Sequence, residues 1–205
     1  MSTIVSISNA NKSRESQETR QKIVAAVIQL ITDGGLEAAS PQRISKLAGV
    51  SLGAVQNFGN RTQLLDAVFL YGHEKYLSLV DHEELLQGTL HERVQLYVTM
   101  SWQHYQSDLY LAVLEILLAT RSSRDASTYL QLAPELGEHH RAQVRKIFPE
   151  CSLDDRNLME VMRSTHLFLT GLAIDKLLEP DLPNLGGYLR RVVASMKGMI
   201  QDQDS

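Results

Sequence analysis

The apolar positions of the chain recur three and four residues apart almost from end to end. Ile23, Ala26, Val27, Leu30 and Ile31 share one stripe, as a helix with one buried side requires. Ile44, Leu47 and Ala48 repeat that spacing, and Leu64, Leu65, Val68, Phe69 and Tyr76 extend it along a longer helix from about Arg61 to Val80. Thr89-Leu90-His91-Glu92 is a capping box that opens a fifth helix reaching about Gln106. Asp108 caps a sixth, Leu109 to Ala119, which is apolar nearly all round and is expected at the buried centre of a second domain. A seventh starts at Ser123 or Asp125, is kinked or interrupted at Pro134 and ends at Phe148-Pro149. Ser152-Leu153-Asp154-Asp155 starts an eighth that runs to about Leu178, and a ninth follows Pro183. No segment alternates with the period of a strand, so the fold class is all-α with about nine helices.

The segment from Ser40 to Val55 is the most informative. Ser40 is placed to cap a helix and Pro41 suits its first position, where a missing N–H costs nothing. Gly49 suits the left-handed residue that ends it. Ser51 caps the next helix two residues later, and so short a turn forces the two helices to cross steeply. This is a helix-turn-helix pattern, whose exposed second helix is shaped for the major groove. Helix, glycine and helix also occur as plain packing.

Candidate DNA contacts fall into two groups. Ser40, Gln42 and Arg43 open the first motif helix and offer hydroxyl, amide and guanidinium groups to phosphate. Ser51, Leu52, Ala54, Gln56 and Asn57 can face base edges, with amides suited to adenine and Leu52 or Ala54 to a thymine methyl. Gly53 permits close approach to the backbone, Arg61 can hold a phosphate, and Val55 is expected in the core.

Residues 18–70 resemble the N-terminal domain of TetR-type (tetracycline-repressor-like) transcription regulators. The resemblance rests on the Arg20-led helix, the Gly34-Gly35 turn, the helix-turn-helix, and then Phe58 with a basic residue opening a long fourth helix. Two departures stand out. Gln56 occupies the usual Tyr position, and only Asn57 separates it from Phe58 where the family has two residues. The resemblance implies a homodimeric repressor with a palindromic double-stranded operator and a small-molecule effector bound in the second domain. Its two recognition helices would sit about 34–36 Å apart, and effector binding would change that spacing. An alternative stays open: an all-α dimeric ligand-binding module whose shortened Gln56-Asn57-Phe58 joint no longer supports DNA binding.

Domain organisation follows as a flexible arm over 1–15, in which Lys12 and Arg14 could reach a minor groove, a DNA-binding domain over 16–62, and a helical ligand-binding and dimerisation domain over 63–205. The eighth and ninth helices carry more apolar surface than one packing face needs. Leu172, Ile174, Leu185, Leu189, Val192 and Met196 are the expected dimer contacts, with completion of the monomer core as the other reading. For the ligand site, Met100, Trp102 and Tyr105 cluster on the fifth helix, Met162 and His166 lie on the eighth, and Glu115 is the one acid of the apolar sixth helix. A buried carboxylate needs a partner, either an Arg or His of the protein or a cationic or hydroxylated ligand.

Charge sharpens this picture only slightly. The chain of 205 residues has a formal charge of −4, whereas residues 1–65 hold seven basic against four acidic residues, which is +3 and leaves −7 for the rest. A basic head on an acidic body suits a protein that touches phosphate at one end. The single cysteine, Cys151, excludes an intramolecular disulfide; with no signal-peptide pattern and no long apolar run, a cytoplasmic location is expected. No enzyme, cofactor or metal is expected. His73-Glu74 and His91-Glu92 lack a second histidine one turn on, the adjacent His139 and His140 project in different directions, and no glycine-rich phosphate loop is present.

Overall fold

The computed structural model describes residues 2–121 and 128–201. They form nine α-helices and no strand: α1 (Ser2–Gly34), α2 (Pro41–Ala48), α3 (Leu52–Phe58), α4 (Arg61–Val80), α5 (Leu90–Tyr105), α6 (Asp108–Ala119), α7 (Thr128–Ile147), α8 (Asp155–Leu178) and α9 (Leu185–Gln201). The chain divides into two compact units, a head of Met1–Gly72 with Asp108–Gln131 and a body of His73–Ser107 with Leu132–Ser205. The division falls inside α4, at Gly72, rather than at the 62/63 boundary expected from the sequence. Helix α1 also begins at Ser2, with no glycine or proline to stop it before Gly34, where the sequence reads as an arm over 1–15. The expected start of the seventh helix at Ser123 or Asp125 lies outside the described residues, as do the side chains of Lys12 and Arg14. Helix α7 runs through Pro134 without a break.

In the head, the stripe of α1 is buried as its spacing requires, with Ile23, Val27 and Ile31 fully enclosed. They pack with Ile44 of α2, Val55 of α3 and Leu64, Leu65 and Val68 of α4. Leu47, assigned to the same stripe of α2 as Ile44, is instead 44% exposed. Helix α6 corrects another expectation. Its buried residues, Ala112, Val113 and Ile116, join the head's core against α1, so α6 is not the centre of the body. Helix α6 is also less enclosed than its sequence suggests, since Leu118 is exposed.

In the body, α5 packs on α8 and α9, and α8 on α9. Val94, Tyr97, Phe148, Leu158, Leu169 and Met196 lie at the core. The Thr89–Glu92 capping box forms as expected, and Asp154 caps α8 by accepting the Asn157 N–H at 2.8 Å. Arg93 is buried, and its guanidinium donates to the Ile147 carbonyl at 2.8 Å, to the Gly88 carbonyl and to Glu150. A buried cation is tolerable here because three acceptors surround it.

Candidate functional site

The helix-turn-helix forms as the sequence dictates. Ser40 takes the N-cap position of α2 with Pro41 at its first turn, although its hydroxyl makes no capping bond. Gly49 ends α2 in the left-handed conformation at φ 64°, which costs a residue with a Cβ about 1 kcal/mol or more. Ser51 caps α3 through its Oγ, which accepts the Ala54 N–H at 3.1 Å. The Ser45 hydroxyl donates to the Val50 carbonyl at 2.7 Å and so braces the turn between the helices.

Val55 is buried beneath α3, whereas Ser51, Leu52, Gly53, Gln56 and Asn57 are exposed and Ala54 is half-buried. Gln42 and Arg43 are exposed on α2, and Ser40 is half-buried at its start. The residues proposed from sequence for base and phosphate contact therefore lie on two adjoining, accessible helices. Arg61 is exposed but already engaged: its guanidinium pairs with Glu37 at 2.8 Å and donates to the Leu36 carbonyl at 3.3 Å.

Two features of this region escaped the sequence. The short joint after α3 is closed by a reciprocal cap. Asn60 Oδ1 accepts the Gln63 N–H and Gln63 Oε1 accepts the Asn60 N–H, both at 2.9 Å. Asn-x-x-Gln is a legible capping box that could have been found at Asn60. Gly59 has φ 132°, and a Cβ there would collide with the Gln63 side chain, so only glycine fits. Second, the Arg20 guanidinium of α1 lies 4.3 Å over the Phe58 ring, a cation–π contact that anchors the end of α3. Ser16, Thr19 and Arg20 thereby line a groove beside Ala54 and Asn57.

Glu115 belongs to the head, and is not grouped with the other proposed ligand residues. Its carboxylate accepts the Leu36 N–H at 2.5 Å in the turn after α1. It satisfies a backbone donor that would otherwise lack a partner near the helix-turn-helix. The partner is thus a backbone N–H, not the Arg, His or ligand that the sequence suggested.

The remaining proposed ligand residues lie in the body. Tyr105 and Met162 are buried, Met100 is half-buried, and Trp102 is buried with the Lys176 ammonium 5.8 Å over its ring. His166 is partly open to solvent on α8, and Tyr105 reaches it, hydroxyl to Nδ1 at 2.6 Å. Around them is a polar cluster that the sequence did not disclose. The Tyr76 hydroxyl lies 2.9 Å from that of Tyr97 and 3.3 Å from His140 Nε2. The Tyr76 ring is 5.5 Å from that of His104 and 5.2 Å from that of His140. Burial takes His104 and His140 down to about 4, helped by neighbouring imidazoles. Burial likewise lowers His73 and His166 and raises Tyr76 and Tyr97. All these groups are neutral at pH 7 in this environment.

The expected dimer residues divide. Leu172, Val192 and Met196 are buried within the single chain, where they complete the core between α5, α8 and α9. Leu185 and Leu189 are half-buried. Ile174 is exposed, and with it Leu167, Phe168, Leu177 and Leu178 make an apolar outer face on α8.

No protein-family model and no curated protein matches the sequence. Solved structures do match its fold. A transcriptional regulator from Rhodococcus sp. Rha1 aligns at TM-score 0.60 and 19% identity over 88% of this chain and 95% of its own. The multidrug binding protein EbrR, complexed with imidazole, aligns at 0.59 and 20% identity over 86% and 93%. The TetR family transcriptional regulator PfmR from Thermus thermophilus aligns at 0.56 and 15% identity over 89% and 99%. With nine helices in this order among the described residues and a helix-turn-helix at α2 and α3, the chain has the fold of the TetR-type transcriptional regulators.

Proposed function

We propose that this chain is a sequence-specific DNA-binding regulator that acts as a homodimer and as a repressor released by a small-molecule effector. The observation that carries the reading is the exposed polar face of α3, Gln56 and Asn57, above a buried Val55 and beside Arg43 on α2. An inert pair of packed helices has no need of a short, capped helix held out with two amides on its free side. The shortened joint after α3 argues less for a lost function than its sequence implied, because the Asn60–Gln63 cap and Gly59 close it. Arg20 and Thr19 join Arg43, Ser40 and Gln42 as groups offered to phosphate, and Gln56 and Asn57 read bases.

The α8 face of Leu167, Phe168 and Ile174 supports a two-fold partner. The tyrosine–histidine cluster with Trp102, Met100 and Met162 supports an effector site in the body, and one fold neighbour is a multidrug binding protein. Helix α4 carries Tyr76 in the body and Leu64, Leu65 and Val68 in the head, so it is the element through which a bound effector would act. Such an effector must bind the DNA-competent and released forms unequally, since tight binding alone shifts nothing.

The test is titration of labelled duplex at several salt concentrations. Affinity that falls steeply with salt, and more so for a selected site than for random duplex, supports the reading. Absence of binding at low salt would leave the alternative of a ligand-binding module.

A further inference from the structure

Three phenols and three imidazoles, buried or half-buried, gather in the helical body, and a fourth imidazole closes their rim. They come from four helices: His73 and Tyr76 on α4, Tyr97, His104 and Tyr105 on α5, His140 on α7 and, at the rim, His166 on α8. Their polar atoms converge. Tyr76 bonds Tyr97 and His140, and Tyr105 bonds His166. Another polar atom, His73 Nε2, lies there buried without a hydrogen-bond partner, and the Ser101 hydroxyl, on a residue 1% exposed, is buried beside Tyr97. A buried polar atom left unsatisfied is costly, and an apolar ligand would leave that cost in place.

The charge around the cluster points one way. Every described Asp and Glu of the body is exposed, and Asp81, which faces His139, is held at the rim by that imidazole. None of them is among the groups that act on His73, His104, His140 or His166, so a cation bound there would have no neighbouring carboxylate. The groups that do face the cluster repel protons from one another: His166 acts on His104, His73, His139 and His166 act on His140, His139 acts on His73, and Arg163 acts on His166. An anion reverses each of these effects. It gains O–H donors from the tyrosines and turns a neutral imidazole into its counter-ion.

We propose that the Tyr76, Tyr97 and Tyr105 hydroxyls with the His104 and His140 imidazoles form the binding site of a small organic acid, whose carboxylate replaces the tyrosine–histidine hydrogen bonds and is held with uptake of a proton from solvent. This rests on the reading of the body as an effector-binding unit and names the chemistry of the effector. The acid needs a flat apolar part to lie among the rings, and one carboxylate.

Calorimetry on the full chain with benzoate, benzamide and benzamidinium compares the same body bearing an anion, a neutral amide and a cation. Benzoate should bind at least about tenfold more tightly than either, since one net charge pairing is worth that much in a buried site. Its affinity should fall by up to roughly tenfold per pH unit between about pH 6 and 8, the linkage slope for one proton taken up. Binding heats in two buffers of different ionisation enthalpy should report the same proton. His140→Gln and Tyr76→Phe should each weaken benzoate, and His140→Gln should flatten the pH dependence. Equal or tighter binding of benzamide or benzamidinium overturns the proposal, as does benzoate binding without proton uptake or no benzoate binding at millimolar concentration. If benzoate binds with its proton but leaves DNA affinity unchanged, the acid site stands and release by effector falls.

Discussion

Single side chains decide which interactions this protein can make. Arg43 and Gln56 are both exposed on the motif, yet they offer different chemistry. A guanidinium meets phosphate on any sequence, whereas an amide pairs with one base edge. Arg43→Ala should weaken binding to all duplexes alike and lower the salt slope by about one. Gln56→Ala should relax preference at one position per half-site at a cost of roughly 1–3 kcal/mol. Equal losses on specific and random duplex for Gln56→Ala would speak against base reading. Glu115 is different again. Its carboxylate holds the Leu36 N–H, so Glu115→Ala should destabilise the chain by about 1.5–3 kcal/mol, the range for a hydrogen bond to a charged group. An unchanged melting temperature would contradict that role. The body histidines supply a pH test. His104 and His140 fall from 6.5 to about 4 on folding, so below about pH 6.5 the unfolded chain takes up protons that the folded chain refuses. Stability should be full above that pH and fall towards pH 4 by up to about 1.4 kcal/mol per pH unit for each histidine. Urea melts across that window should show the slope, and His104→Gln should reduce it.

Helices differ in how much of their role their own residues encode. The cap of Ser51 on α3, the stop at Gly49 and the Thr89–Glu92 box are local, and each was legible because its partners lie within four residues. The partner of α6 was not legible. An apolar helix states that it is covered, not by what, and α6 is covered by α1 and the turn after it. The same limit applied to α8 and α9. Their apolar excess was visible, but Leu172, Val192 and Met196 pack inward, and the outward residues are Leu167, Phe168, Ile174, Leu177 and Leu178. Nor could sequence assemble Tyr76, Tyr97 and His140, which lie on three helices; of the cluster, the sequence proposes Tyr105 and His166 as ligand residues and places His104 beside Tyr105. The outward set gives a sharper test of assembly than the inward one. Phe168→Glu with Ile174→Glu should yield a folded monomer by sedimentation, with helical content retained. Val192→Asp should instead unfold the chain, because it buries an unpaired charge in the monomer core. A dimer that survives the α8 pair would move the interface elsewhere.

For the whole molecule, the account joins a head that exposes amides and cations with a body that holds a tyrosine–histidine cluster and whose described acids are all exposed. No described helix is long and apolar enough to cross a membrane. On the proposed function, the head alone offers only a short reading surface, so specificity would require two copies on one duplex. Selection from a random duplex pool, followed by sedimentation of the complex with the selected site, tests this most directly. The account predicts an enriched palindrome whose half-sites lie one helical turn, about 10 bp, or a multiple of it apart, bound by two chains or a multiple of two. Enrichment of no sequence, or one chain bound to an asymmetric site, would contradict it.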